Sequence, residues 1–178
     1  MAGALKTIAV VQNAPGAMVQ DIFRSLVARW RPPFRVAGVI AETHGLPDRH
    51  CSAGFLRNIM TDELFPIFHD LGPGSAVCHL EGGGALTAAQ AVERNIAAGC
   101  DLVLLSKFGK LEAGGEGLLP AFTAAVKARV PLLTSVSPAF EAAWTKFAPP
   151  AFVALPADAD KIDAWWQATH HALLTETS

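Results

Sequence analysis

The segment Asp101-Leu-Val-Leu-Leu-Ser-Lys-Phe-Gly-Lys-Leu-Glu-Ala-Gly-Gly-Glu-Gly117 constrains the fold most, because an unbroken apolar run passes straight into a loop of lysines, glutamates and glycines. Such a run reads as a strand of the buried type. In an open parallel sheet the ligand crevice lies beyond the carboxyl ends of the strands. Lys107, Lys110 and Glu112 therefore stand where binding or chemistry is expected.

The rest of the chain alternates in the same sense. Residues 5–11 predict a buried strand that ends at Gln12-Asn13-Ala14-Pro15-Gly16. Val19, Ile22, Phe23, Leu26, Val27 and Trp30 then recur at helical spacing until Pro32-Pro33 stops the pattern. Residues 34–41 predict a second strand, and a strand, helix, strand unit winds right-handed with its strands parallel. From Glu42 to Gly74 the pattern loosens into a long connection, with a short strand expected at 64–68. Another strand is expected at 76–80, and Glu81-Gly82-Gly83-Gly84 turns the chain into a helix carrying Ala85, Ala89, Val92 and Ile96. There Thr87 with Gln90 fits a capping box and Gly99 a stop.

Strands at 101–106, 130–136 and 151–155 alternate with helices at 118–128, at 138–147 and after an Asp158 cap. This alternation predicts a single domain over residues 1–178: a three-layer α/β sandwich with a mostly parallel sheet of about five strands. The tryptophans at 144, 165 and 166 fall on amphipathic helices and suit a core or a homodimer interface.

Charged residues make up 17% of the chain and the net charge is -2, which gives no electrostatic reason to seek nucleic acid or an anionic membrane. The apolar runs are far shorter than the roughly 20 residues a bilayer requires. The first residues lack the long apolar core of an export signal. Cys51, Cys78 and Cys100 form neither an even disulfide framework nor paired Cys-x-x-Cys knuckles. The expectation is a cytoplasmic protein with free thiols.

A first strand, a Gly/Pro loop and an amphipathic helix present backbone N–H groups and a helix N-terminus to an anion. Gln12, Asn13, Ala14, Pro15, Gly16 and Ala17 occupy that place. Against the phosphate-loop pattern G-x-x-x-x-G-K-[ST], Gly16 matches the second glycine, while Val11, Ala17 and Met18 replace the first glycine, the lysine and the hydroxyl. Without that lysine and hydroxyl, a triphosphate loses a local positive partner and a magnesium ion loses a ligand. Lys107 and Lys110 can draw an anion instead, with Glu112 orienting a lysine or a water.

His44, His50 and Cys51 lie close in sequence, and Cys78-His79 follows near the glycine turn. Together they form a two-segment candidate site for a soft metal or molybdenum, although their spacing matches no established zinc pattern.

Several of these blocks resemble an uncharacterised bacterial domain family placed in the P-loop nucleoside-triphosphatase superfamily, described as nucleotide-binding and encoded near molybdenum-uptake genes. The resemblance covers most of the chain and rests on residues 101–112 with Gly115 and Gly117, on 72–80, on 130–136 and on Trp165-Trp166. It implies that the Lys107 to Glu112 loop corresponds to the region after the magnesium-site strand of related enzymes. There Ser106 and Lys107 replace an acidic pair. The expected function is a nucleotide- or oxyanion-binding protein with a degenerate Walker A loop, taking a small anionic ligand such as a nucleotide with magnesium, or molybdate. Two alternatives stand beside it: a non-catalytic carrier or regulatory module for molybdenum or its cofactor, and an atypical nucleoside triphosphatase whose lysine comes from Lys107.

Overall fold

The computed structural model of the chain describes residues 5–43, 53–69, 79–80 and 82–177. In chain order the elements are β1 (Ile8–Val11), α1 (Gly16–Trp30), β2 (Val36–Thr43), β3 (Ala53–Asn58), β4 (Leu64–Pro66), β5 (Phe68–His69), β6 (His79–Leu80) and α2 (Gly82–Ala98). There follow β7 (Leu102–Leu105), α3 (Lys110–Ala113), α4 (Leu119–Ala128), β8 (Leu132–Ser135), a 3-10 turn (Pro138–Phe140), α5 (Glu141–Phe147), β9 (Phe152–Leu155) and α6 (Ala159–Glu176).

The main sheet has seven strands in the order β4-β3-β2-β7-β8-β1-β9, and β5 and β6 form a separate antiparallel pair. The five strands from β2 to β9 in that order pair in parallel. Successive side chains of a strand point to opposite faces, and the apolar content divides accordingly. Ile8 and Val10 of β1, Val103 and Leu105 of β7 and Leu132 of β8 pack with Val92, Phe122 and Trp144 of α2, α4 and α5. Ala9, Val11, Leu102, Leu104 and Leu133 pack on the other face with Phe23, Leu26 and Trp30 of α1 and Ile162 and Trp166 of α6. These are the three layers of an α/β sandwich, the arrangement expected of a P-loop-like fold.

Trp144 and Trp166 are buried in these two cores, so both belong to packing within the chain. Each large side chain removed from water contributes roughly 1.5–3 kcal/mol. Trp30 donates its indole N–H to Asp163 Oδ1 at 2.7 Å, tying α1 to α6. Asp158 caps α6 as expected, its Oδ1 accepting the amides of Asp160 and Lys161.

The extra strands come from the stretch expected to be a loose connection. β2 runs on to Thr43, and β3 and β4 add to its edge antiparallel. In β3 the buried positions are Gly54, Leu56 and Asn58, alternating with half-exposed Phe55 and Arg57. Buried Asn58 donates to Asn95 Oδ1 and accepts the amides of Met60 and Thr61, so it closes the turn after the strand. The strand expected at 64–68 divides into β4 and β5, and of the one expected at 76–80 only His79–Leu80 lies among the described residues.

Helix α2 begins at Gly82, ahead of the expected capping box. Thr87 is inside the helix and its hydroxyl donates to Gly83 O at 2.9 Å. An ideal Cβ on Gly84 would lie 1.6 Å from Pro66 O, so this glycine serves the close approach of α2 to β4. Gly99 does end the helix, at φ 104°.

Candidate functional site at the carboxyl edge of the sheet

At the end of β1 the chain is held on both sides, because Gln12 N donates to Leu155 O at 3.3 Å and Val136 N donates to Val11 O at 3.2 Å. Asn13 follows at φ 64°, a left-handed conformation that asparagine tolerates better than most residues. Pro15 precedes α1 without capping it by a side chain, and the first intrahelical bond runs from Val19 N to Pro15 O at 3.1 Å. The amides of Gly16, Ala17 and Met18 therefore have no intrahelical acceptor. All three residues are exposed, the first turn holds no acid, and nothing stands within 4 Å of an ideal Cβ on Gly16.

The place of this turn follows from the topology. From β1 the chain crosses to the layer of α1, whereas from β8, the neighbour of β1, it crosses to the layer of α5. Divergence of adjacent connections opens a crevice at the carboxyl edge. Gln20, one turn into α1, bridges toward the same edge: its Nε2 donates to Ser106 O at 2.9 Å and its Oε1 accepts Ala41 N at 3.0 Å. Ser135 Oγ donates to the same Ser106 carbonyl at 2.8 Å. The end of β7 is thereby joined to α1, β2 and β8.

The loop after β7 is closely built. Phe108 N donates to Ser135 O at 2.8 Å, and the Phe108 ring is buried among Phe122, Trp144 and Phe147. Lys107 and Lys110, on either side of it, are exposed. Glu112 is only 8% exposed, and its Oε1 and Oε2 accept the amides of Gly109 at 3.0 Å and Leu118 at 3.1 Å. Burial pushes its pKa up, opposed by these amides and by the positive field of Lys107. Gly117 covers this carboxylate at φ 64°, where an ideal Cβ would lie 2.1 Å from Glu112 Oε2. The loop is tightly turned, with one helical turn, α3, inside it.

The lysine loop and the start of α1 share one edge of the sheet, with β8 between their strands. Two strand spacings of roughly 4.8 Å separate β1 from β7. Sequence reading names both segments but misses Gln20, Phe108 and Ser135, which join them. Only its place as a polar residue at the carboxyl end of an apolar strand hints at Ser135.

Of the metal candidates, His44, His50, Cys51 and Cys78 lie outside the described residues. His79 is placed in β6, opposite His69 in register. Among the described residues no group of three histidines, cysteines or acids is placed to hold a metal ion. Burial, reinforced by Asp101, pushes the half-buried Cys100 thiol pKa up, which keeps it protonated and weakly reactive. No helix among the described residues is long and apolar enough to cross a membrane.

The chain is 35% identical over 159 residues to the molybdenum import ATP-binding protein ModC 2 of Bradyrhizobium diazoefficiens, a match that covers 89% of this chain. It spans 17% of that relative's length. No solved structure matches it. A family model described as "Protein of unknown function (DUF2478)" matches residues 8–165, and the chain belongs to that family.

Proposed function

We propose that this protein binds a nucleotide or a small oxyanion at the carboxyl edge of its sheet, through a degenerate phosphate-binding loop, in the service of molybdenum metabolism. The observation that carries the proposal is the open first turn of α1, whose three exposed residues leave their amides without intrahelical acceptors or a capping side chain. Such a turn favours negative charge through its N–H groups and the helix dipole together. Lys107 and Lys110 add positive charge from the loop after β7. The likeness to an ATP-binding protein of molybdenum import supports both the nucleotide and the molybdenum parts of the reading.

Turnover is weak or absent in this reading. Ala17 and Met18 stand where a phosphate loop keeps its lysine and hydroxyl, and Ser106 and Lys107 follow the strand where an acidic pair is expected. A second reading, a regulatory or carrier module, is favoured by one fact: the match takes up only 17% of the relative's length. In that role the domain reports on an anion to a partner without chemistry of its own.

Calorimetric titration with ATP, with ATP and magnesium, and with sodium molybdate tests the proposal. Saturable binding that weakens with added salt supports it, and no heat from any of the three overturns it. Molybdate binding without phosphate release favours the module. Phosphate release that disappears in Lys107→Ala favours an atypical nucleoside triphosphatase.

A further inference from the structure

We propose that Gly109 is a positioning residue for Lys107, holding its ammonium group at the carboxyl edge of the sheet for the anion; this rests on the binding reading above. An ideal Cβ on Gly109 would stand 2.8 Å from Lys107 Cε, 3.8 Å from its Cδ and 3.6 Å from its Nζ. The lysine side chain therefore lies back across its own loop, in space that the bare glycine leaves open. At φ -131° Gly109 is not in the left-handed region, so what a Cβ there would change is the course of the Lys107 side chain and not the backbone.

The loop holds this slot on both sides. The buried Phe108 ring and its amide bond to Ser135 O fix the residue between lysine and glycine. The Gly109 amide is in turn fixed by Glu112 Oε1 at 3.0 Å. Lys107 makes no hydrogen bond or close ion pair among the described residues, though its charge acts on the Glu112 carboxylate, so its three donors remain for a ligand. A lysine stem is flexible and must be ordered when its ammonium binds an anion, and a slot that orders it beforehand lowers that cost.

The test compares wild type, Gly109→Ala, Lys107→Gln and the double variant, each titrated with sodium molybdate and with ATP. Alanine at 109 meets only the far end of a flexible side chain, so the fold is retained and the lysine is displaced. For the probe that wild type binds, Lys107→Gln weakens affinity about tenfold and Gly109→Ala about fivefold, as expected for losing or misplacing one charged hydrogen bond. The double variant is no weaker than Lys107→Gln, because a positioning residue has nothing left to position.

Carbon-13 relaxation at Lys107 Cε in the ligand-free protein gives a second readout. Its order falls in Gly109→Ala. Additive losses in the double variant, or unchanged Cε order, overturn the proposal. If wild type binds neither probe, the binding reading fails and Gly109 has no anion to serve, while loss of Cε order still identifies the slot itself.

Discussion

Glu112 Oε2 accepts the amide of Leu118 at 3.1 Å, so the most buried carboxylate of the candidate site is engaged with its own backbone. Its other oxygen takes the Gly109 amide, and the loop from β7 to α4 is braced by one side chain. Glu112→Ala leaves the buried amides of Gly109 and Leu118 without this acceptor. The expected loss is about 2–6 kcal/mol, from a cost of roughly 1–3 kcal/mol for each of the two groups. Urea unfolding checks it, and a loss under 0.5 kcal/mol would show that the brace matters little.

The same carboxylate sets a pH dependence. Burial raises its pKa above the ordinary 4.5, so the folded protein holds this proton more tightly than the unfolded chain. The contribution of Glu112 is therefore fully present below pH 4.5 and declines as pH rises through the folded-state value. The stability of wild type minus that of Glu112→Gln should fall with rising pH across this window. A difference that rises with pH contradicts the sign.

Gly117 is irreplaceable for two independent reasons. Its φ of 64° strains any residue with a Cβ, and that Cβ would meet Glu112 Oε2 at 2.1 Å and Leu111 Cβ at 2.8 Å. Left-handed strain alone costs of order 1–3 kcal/mol. Gly117→Ala is expected to lose more than Gly115→Ala, since Gly115, at φ 86°, has nothing within 4 Å of its Cβ. Thermal unfolding of the two variants side by side decides this, and equal losses would show that Glu112 moves aside freely.

The parallel part of the sheet is legible in the sequence because Ile8–Val11 and Leu102–Leu105 are buried at every position, leaving short apolar runs with no other use. β3 is not legible, because Gly54 and Asn58 take buried positions and Phe55 a half-exposed one, against the apolar alternation that marks a strand. Residues of Asn58 type look like loop residues until their tertiary partners are known. In the site, the opening turn of α1 and the lysine loop stand out as departures from apolar patterning. Gln20 does not, since a glutamine on the polar face of an amphipathic helix carries no local sign that its amide reaches two other strands.

Those two bonds carry a prediction of their own. Gln20→Ala frees the Ala41 amide and removes one of the two donors to Ser106 O, while Ser135 Oγ keeps the other. At roughly 0.5–1.5 kcal/mol for each of the two bonds, the expected loss is about 1–3 kcal/mol. Hydrogen exchange at Ala41 should accelerate more than at Val39, deeper in the same strand. Uniform acceleration along β2 would mean that the glutamine supports the sheet generally and does not join α1 to its carboxyl edge.

In the proposed reading of the α1 turn as a degenerate phosphate loop, the missing lysine is the sharpest departure from a working loop, and it can be reversed. Ala17 is exposed on the open first turn, so a lysine there costs little in packing. If the turn binds an anion, Ala17→Lys adds an ammonium group to those of Lys107 and Lys110, beside the three amides, and should raise affinity for ATP or molybdate about tenfold, the scale of one charged hydrogen bond. Steeper salt dependence should accompany the gain, because exposed charges are screened over about 10 Å at 0.1 M ionic strength. Adding Met18→Ser supplies the hydroxyl that a magnesium ion uses in such loops, so magnesium should then strengthen ATP binding where it did not before. If Ala17→Lys leaves every affinity unchanged, the open turn of α1 is not the anion site and binding must be sought at the lysine loop alone.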